Sequence, residues 1–344
     1  MQKNRETWVD VAKGLGIILV IIGHSGNEFA GHYFFWFHMP LFFILSGYTF
    51  KEISNKRKLI SWIKRRFLQL MVPYISFGLL IILAINFDRI ISGNFGIVDF
   101  LIECLKLGYG GEKIGGAFAV FWFITCLLVT QVVFASITLF FKSIKTQIAI
   151  VSLLFIIGHI QSIFLTDRLF PLPWNFDVAL VSTFYFAVGF YFKKMSGVKL
   201  FSNVKYGLIS VLLLFLLVIG DILNVFSYSL DMKKHFYHNL FFDAIIPLII
   251  SAFICFISYH LVRLRFSNAL NWLGLISLPI MYLHFPINVI LKSVFGEYNW
   301  IVFSVNGFAF SVLFYLLIVN NLKFADFLFL GNMPKVKDLE KISA

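Results

Sequence analysis

The feature that most constrains this chain is a series of apolar stretches about as long as a bilayer is thick. A membrane-spanning helix needs about 20 mostly apolar residues, since its backbone polar groups must be paired within the segment. On that basis we predict an all-α polytopic integral membrane protein with about ten transmembrane helices, at about residues 9–28, 34–50, 70–87, 118–140, 147–165, 177–192, 206–226, 241–262, 272–291 and 299–320. With 60% hydrophobic and only 13% charged residues, the composition excludes an ordinary soluble domain.

The positions of Lys and Arg predict the orientation, because loops rich in these residues stay in the cytosol. Most of the 29 Lys and Arg residues fall on one side if the N-terminus is inside, with the densest group between Lys51 and Arg66. We therefore predict that both termini are cytosolic and that the helix count is even. The net charge of +12 belongs to this face and does not indicate a nucleic-acid partner.

The predicted helices define the domain organisation. Residues 1–325 form one transmembrane domain, and residues 326–344 form a short cytosolic tail. The Gly-rich segment 88–117 is predicted to be the longest external loop, with a re-entrant piece as the alternative.

The first apolar stretch carries three ionisable residues on one predicted helical face. At about 100° per residue, the eleven steps from Lys13 to His24 return to nearly the same face, about 16 Å further along the axis. Asp10 lies one turn before Lys13 and can balance its charge. Ionisable side chains in an apolar helix are costly, so the stripe predicts a functional site. The alternative is a packing histidine beside two unrelated charges at the membrane surface.

Further features surround this stripe. His38 opens the second stretch, and Ser46-Gly47 near its end predict close packing of the second helix on the first. The basic run 64–66 indicates either a topogenic signal that attracts anionic lipid or a binding site for a cytosolic polyanion. The three cysteines show neither metal-ligand spacing nor a disulfide framework, and we predict no metal site.

Several motifs extend the pattern along the chain. They are the pair Lys13 and His24, FHMPLFFILSGY at 37–48, KRRFLQLMVPY at 64–74, FWF at 121–123, LPWNFDVAL at 172–180 followed by FYFAVGF, and MYLHFP at 281–286. Together they resemble the membrane acyltransferase-3 family, and within it the fucose 4-O-acetylase-like acetyltransferases. Many members carry Arg at the position of Lys13, and Lys keeps the charge but loses the planar fork.

The resemblance implies transfer of an acetyl group from cytosolic acetyl-CoA to a hydroxyl of a cell-envelope sugar or glycan precursor, in a bacterial inner (plasma) membrane. It implies that His24 is the base or the acyl carrier, assisted by Asp10, Lys13 and His38. Acetyl-CoA is then a co-substrate, and no permanently bound cofactor is expected. The residues expected to bind acetyl-CoA are Lys13, Lys64, Arg65, Arg66 and Tyr74, and those expected to bind the acceptor are Trp122, Asp177 and His284.

Other interpretations of these residues stay open at this point. Trp122 also suits a membrane interface, and His284 also suits packing inside a helix bundle. For the whole chain, the alternative function is a transporter or flippase for an envelope precursor or a small organic acid, because many helices with buried ionisable groups also suit transport. Inverted repeats would favour transport, and the sequence contains no recognisable one.

Overall fold

The computed structural model describes residues 6–164, 172–195, 197–322 and 324–333. Within these ranges the regular structure is helical, and one isolated bridge joins Asp231 and Phe236. The helices are α1 Thr7–Gly23, α2 Glu28–Phe35, α3 His38–Thr49, α4 Lys56–Ile85, α5 Phe87–Ile91, α6 Ile97–Tyr109, α7 Trp122–Phe140, α8 Ile144–Phe164, α9 Val178–Met195, α10 Lys199–Ser202, α11 Val204–Ile222, α12 Leu240–Leu261, α13 Ser267–Leu275, α14 Ser277–Phe295, α15 Trp300–Phe314 and α16 Ala325–Leu330. Short 3₁₀ turns at Gly111–Lys113, Gly116–Phe118 and Pro173–Asn175 and a π turn at Tyr315–Val319 complete the set.

Within the described ranges, eight helical segments are long and apolar enough to cross a membrane, namely Lys56–Ile85, Gly116–Phe140, Ile144–Phe164, Pro173–Met195, Val204–Ile222, Leu240–Leu261, Ser277–Phe295 and Trp300–Val319. They coincide with eight of the predicted stretches. The first two stretches form α1 and α3, which have only 17 and 12 residues. The prediction of an all-α polytopic membrane protein is therefore confirmed, whereas the count of ten and the cytosolic termini stay predictions.

The two short helices lie inside the bundle. α1 packs mainly against α13, and α3 packs mainly against α9. A Cβ atom on Gly14 would strike the Leu270 carbonyl, so this glycine lets α1 and α13 touch backbone to backbone. The prediction that Gly47 packs on the first helix was wrong. A Cβ atom on Gly47 would strike the Phe186 carbonyl of α9, and one on Gly189 of α9 would strike the Ile44 carbonyl of α3. These two glycines let α3 and α9 pack closely against each other.

The segment 88–117, predicted as a long loop, is partly helical. It contains α5 and α6, and the Asp99 carboxylate accepts a hydrogen bond from the Gly96 backbone N–H at the start of α6. Leu107 of α6 is buried and packs against Gly78 of α4. Apolar and polar residues alternate here with a helical period, which an average of hydropathy over the segment conceals.

The predicted boundary at 325 falls at the start of α16. This helix packs along α4, where the Phe329 and Phe77 ring centroids are 4.9 Å apart. The part of the predicted tail at 326–333 thus lies against the membrane domain. Residues 1–5, the predicted helix end at 165 and residues 334–344 lie outside the described ranges.

Candidate active site

A cavity of about 300 Å³, which we call the histidine cavity, is lined by several distant parts of the chain. Its wall is mainly apolar and includes the aromatic side chains Phe35, Phe42, Trp122, Phe123 and Phe285. Its polar lining residues are His24, His38, Asp231, Lys233, Lys234 and Ser277. A small apolar cavity with a few polar groups is the usual form of a small-molecule site.

His24 and His38 come together because α1 and α3 run antiparallel. Glu6, just before α1, accepts a hydrogen bond from Tyr48 near the end of α3, so the opposite ends of the two helices also meet. At the other end of the pair, His24 follows the last residue of α1 and His38 is the first residue of α3. Their ring centroids are 6.0 Å apart.

Both histidines are held by a backbone carbonyl oxygen four residues earlier in the chain, which lies on α1 for His24 and on α2 for His38. The Nδ1 atom of His24 lies 2.8 Å from the Val20 carbonyl oxygen, and that of His38 lies 2.8 Å from the Phe34 carbonyl oxygen. A carbonyl oxygen can only accept, so each Nδ1 carries a hydrogen, and in the neutral ring Nε2 keeps a lone pair. This tautomer leaves Nε2 as the basic atom of the ring.

His284 lies beside His24 on α14, with ring centroids 5.4 Å apart. It is fully buried, and its Nδ1 lies 3.0 Å and 2.8 Å from the carbonyl oxygens of Ile280 and Met281. Its Nε2 atom is buried and has no hydrogen-bond partner among the residues that the structure describes. A buried acceptor left unpaired costs about 1–3 kcal/mol, so this position calls for a functional explanation.

A second cavity, of about 550 Å³, lies at the end of the bundle that carries the loop 51–56; we call it the basic cavity. Lys13 and Arg66 line it together with one acidic residue, Asp326, and with the polar residues Gln69 and Ser277. It adjoins a further space of about 390 Å³ that is lined by Arg65, Arg66 and Lys51. The basic residues expected to bind a polyanion are thus partly gathered at one opening.

Two interactions orient the cations of the basic cavity. Lys13 Nζ lies 3.6 Å from the Asp10 carboxylate, which is 2% exposed, so the predicted pairing one turn apart is present. Arg66 Nε donates to Gln131 Oε1 at 2.6 Å, and Gln131 Nε2 donates to Ser46 Oγ at 2.9 Å. The guanidinium plane is therefore held against the wall of the cavity.

The histidine cavity and the basic cavity share part of their walls. Phe42, Phe123, Ser277 and Leu278 line both. Lys13 lies in one and His24 in the other, eleven residues apart on the same helix. These shared side chains thus form part of the partition between the basic cavity and the histidines.

The other predicted site residues are placed in different surroundings. Trp122 lines the histidine cavity, whereas Lys64 is exposed on α4. Tyr74 is buried and donates a hydrogen bond to the Leu107 carbonyl oxygen at 2.8 Å. The structure places Asp177 at the start of α9, where its carboxylate is 3.0 Å from His235 Nε2. For Tyr74 and Asp177 these contacts supply a structural role, and the binding roles stay predictions.

The segment 224–239, which we call the cap, contains none of the predicted site residues. Residues 230–234 of the cap line the histidine cavity. Tyr228 Oη donates to the Asp243 carboxylate at 2.8 Å, and Lys233 Nζ donates to the carbonyl oxygens of Ile114 and Ala119 at 2.8 Å and 3.0 Å. Burial lowers the pKa of Lys233. The signal in the sequence was the charged run SLDMKKH between two apolar stretches.

The described residues contain no group of three or more His, Cys, Asp or Glu side chains arranged to hold a metal ion. Among the described residues, Asp231 and Lys233 of the cap act electrostatically on His24. The arrangement as a whole offers uncharged imidazole nitrogens between a cationic opening and a charged cap.

Comparison with known proteins connects this site to a family. The chain matches the model of the acyltransferase-3 family, described as an acyltransferase domain, over residues 6–320. It is also similar to Nodulation protein NolL of Sinorhizobium fredii (strain NBRC 101917 / NGR234), with 28% identity over 162 residues. That similarity covers 43% of this chain and 42% of the relative, so less than half of the relative's length is matched. No solved structure matches the chain.

Proposed function

Given that this chain belongs to the acyltransferase-3 family and is a membrane acyltransferase, we propose that it moves an acetyl group from acetyl-CoA to a hydroxyl of a cell-envelope sugar or glycan precursor. The donor enters the basic cavity from the cytosol, and the acceptor enters the histidine cavity from the other end. The membrane is a bacterial plasma membrane in this proposal. The narrower resemblance to fucose 4-O-acetylase-like enzymes stays a prediction.

The basic cavity supports the choice of donor. Acetyl-CoA carries phosphate groups that bind Arg and Lys strongly, and the Arg66 guanidinium is already oriented by Gln131. Lys13 and Arg65 add positive charge at the same opening. These residues, with Lys64 on the exposed face of α4, form the proposed phosphate-binding group.

The reach of the donor fits the distance between the cavities. Eleven residues of helix separate Lys13 from His24 by about 16 Å. With its phosphates at the cationic opening, an extended pantetheine arm of about that length places the thioester at the wall shared by the two cavities. The apolar side chains Phe42 and Phe123 of that wall keep water away from the reacting carbon.

His24 supplies the base in the proposed reaction. Its Nε2 lone pair takes the proton of the acceptor hydroxyl while the oxygen attacks the thioester carbonyl carbon. The new C–O bond forms, the C–S bond breaks, and the proton passes from His24 to the CoA thiolate. His38 binds the acceptor next to His24, and His284 packs beside His24 and holds its ring in place.

The observation that carries the proposal is the placement of His24 in an apolar cavity that shares a wall with the basic cavity. The test is release of CoA from acetyl-CoA by purified protein in liposomes, with candidate sugar acceptors supplied. We expect His24→Ala to reduce release by at least 100-fold, as loss of a general base predicts. The matched control is His260→Ala, which removes a half-buried histidine of α12 that lines neither cavity.

Two results would contradict the proposal in different ways. If the wild type neither binds nor turns over acetyl-CoA, the donor is wrong. If His24→Ala turns over normally, the enzyme stands and His24 is not its base. Mass spectrometry without acceptor separates the two roles of His24, because only an acyl carrier becomes acetylated on the ring.

A further inference from the structure

We propose that the cap carries the acceptor subsite and that Asp231 binds a sugar ring there, so that one hydroxyl contacts Asp231 while a neighbouring hydroxyl faces His24. This inference rests on the proposed function and deepens it. Asp231 lines the histidine cavity together with His24, and its charge acts electrostatically on that ring. Nothing in the family match or in the resemblance singles it out.

The hydrogen-bonding character of the cavity indicates the class of acceptor. The Nδ1 hydrogens of His24 and His38 are donated to backbone carbonyl oxygens, so the neutral rings present Nε2 lone pairs to the cavity. Ser277 donates its hydroxyl hydrogen to the Gly274 carbonyl oxygen at 3.0 Å, and the Asp231 carboxylate can only accept. His24, His38, Ser277 and Asp231 therefore present hydrogen-bond acceptors to the cavity, whereas the Trp122 indole N–H is a donor. A polyol supplies donors to these acceptors, and an ester or a fully alkylated sugar does not.

The lysines of the cap do not change this conclusion. Lys233 donates two hydrogen bonds from its Nζ to the carbonyl oxygens of Ile114 and Ala119. Lys234 is 76% exposed, and its ammonium lies 3.7 Å from the Asp231 carboxylate, which is too long for a hydrogen bond. The carboxylate therefore keeps lone pairs for a ligand.

The size of the cavity limits the acceptor to one ring. At about 300 Å³, the cavity is at the small end of the range of roughly 300–1,000 Å³ that ligand sites occupy. One pyranose ring fills such a space, with Trp122 and Phe35 available to cover its apolar face. The rest of a glycan, or a lipid carrier, stays outside the cavity.

The test compares two reactions of the full-length protein in liposomes. The first is hydrolysis of acetyl-CoA without acceptor, and the second is acetyl transfer to p-nitrophenyl glycosides of glucose, galactose, mannose, fucose, rhamnose and N-acetylglucosamine. The variant is Asp231→Asn, whose Oδ1 still accepts the hydrogen bond that Lys234 N–H donates to Asp231 at 3.2 Å. The control is Glu103→Gln, since Glu103 also pairs with a lysine three residues later but lies on α6, away from the cavity.

We expect Asp231→Asn to lower kcat/KM for the best glycoside by about 10- to 100-fold, the effect of a lost charged hydrogen bond. Acceptor-free hydrolysis should stay within about twofold, and Glu103→Gln should change neither reaction. With the wild type, the monodeoxy analogue that lacks the hydroxyl bound by Asp231 should react more slowly than the parent glycoside. With Asp231→Asn the two compounds should react at similar rates, because the variant has already lost that contact.

Other results would overturn the inference. Unchanged kcat/KM for the glycosides would remove Asp231 from the acceptor site, and equal losses in both reactions would make its role structural. Acetyl-CoA hydrolysis by the wild type with transfer to none of the glycosides would exclude a subsite for one neutral sugar ring. If the wild type releases no CoA at all, the proposed function itself fails, a result distinct from these three.

Discussion

Replacing Arg66 tests how the basic cavity would bind acetyl-CoA. Gln131 fixes the guanidinium through Nε at 2.6 Å, and Nη1 makes only a 3.4 Å contact to Gln69. The terminal nitrogens are thus available for a phosphate group. A charged hydrogen bond contributes about 1.5–3 kcal/mol, so we expect Arg66→Met to weaken acetyl-CoA binding by roughly 10- to 100-fold.

A second variant separates the charge of Arg66 from its orientation. Gln131→Met keeps the cation but frees the guanidinium, which then has to be ordered on binding. Ordering one long side chain costs about 0.5–1.5 kcal/mol, so we expect a loss of about 2- to 12-fold. Arg57→Met is the control, because it removes an exposed cation from the first turns of the same helix.

The assay is the dissociation constant of acetyl-CoA, measured by calorimetry at fixed ionic strength, since exposed charges are screened by salt. The expected order of loss is Arg66→Met, then Gln131→Met, with Arg57→Met near the wild type. Equal losses for Arg66→Met and Arg57→Met would show attraction by the basic face as a whole. That result would refute the argument for an oriented phosphate contact.

The remaining predictions concern stability, measured by thermal unfolding in detergent. Gly47→Ala should destabilise the fold by about 1–3 kcal/mol, because its Cβ meets the Phe186 carbonyl, whereas Gly108→Ala, in open space, should not. Burial lowers the pKa of Lys233, so folding favours its neutral form. The unfolded chain then binds more protons between the lowered pKa and the ordinary value of about 10.4, and stability rises with pH through that window. Lys233→Met should abolish this rise, and an unchanged pH dependence would contradict the assignment.

The long helices could be predicted because the thickness of a bilayer fixes their length and composition. α1 and α3 are shorter than a span and yet were recognised as apolar stretches. Most of their residues are buried against other helices, so the bilayer does not set their length. The helix predicted to pack on Gly47 was wrong, because a glycine indicates that another helix comes close but does not indicate which one. That choice depends on how the whole bundle packs.

The parts of the candidate site also differ in whether the sequence alone could predict them. Lys13 and His24 lie on one helix, so periodicity was enough to relate them. The grouping of His24 with His284 and with Asp231 joins residues more than 200 positions apart, and no local pattern contains it. The cap was missed because its residues are charged and resemble any loop between two spans. Only the structure shows that residues 230–234 line the cavity.

In the proposed function, α1 alone sets the distance between donor and base. Lys13 lies in the basic cavity and His24 in the histidine cavity. α1 has no room to slide, since Gly14 touches the Leu270 backbone and Gly274 touches the Asp10 backbone. The acceptor side is built differently, because side-chain hydrogen bonds from Tyr228 and Lys233 hold the cap in place. A rigid donor side suits one invariant thioester, and a cap held by a few side chains is the part in which acceptor specificity can change without moving the base.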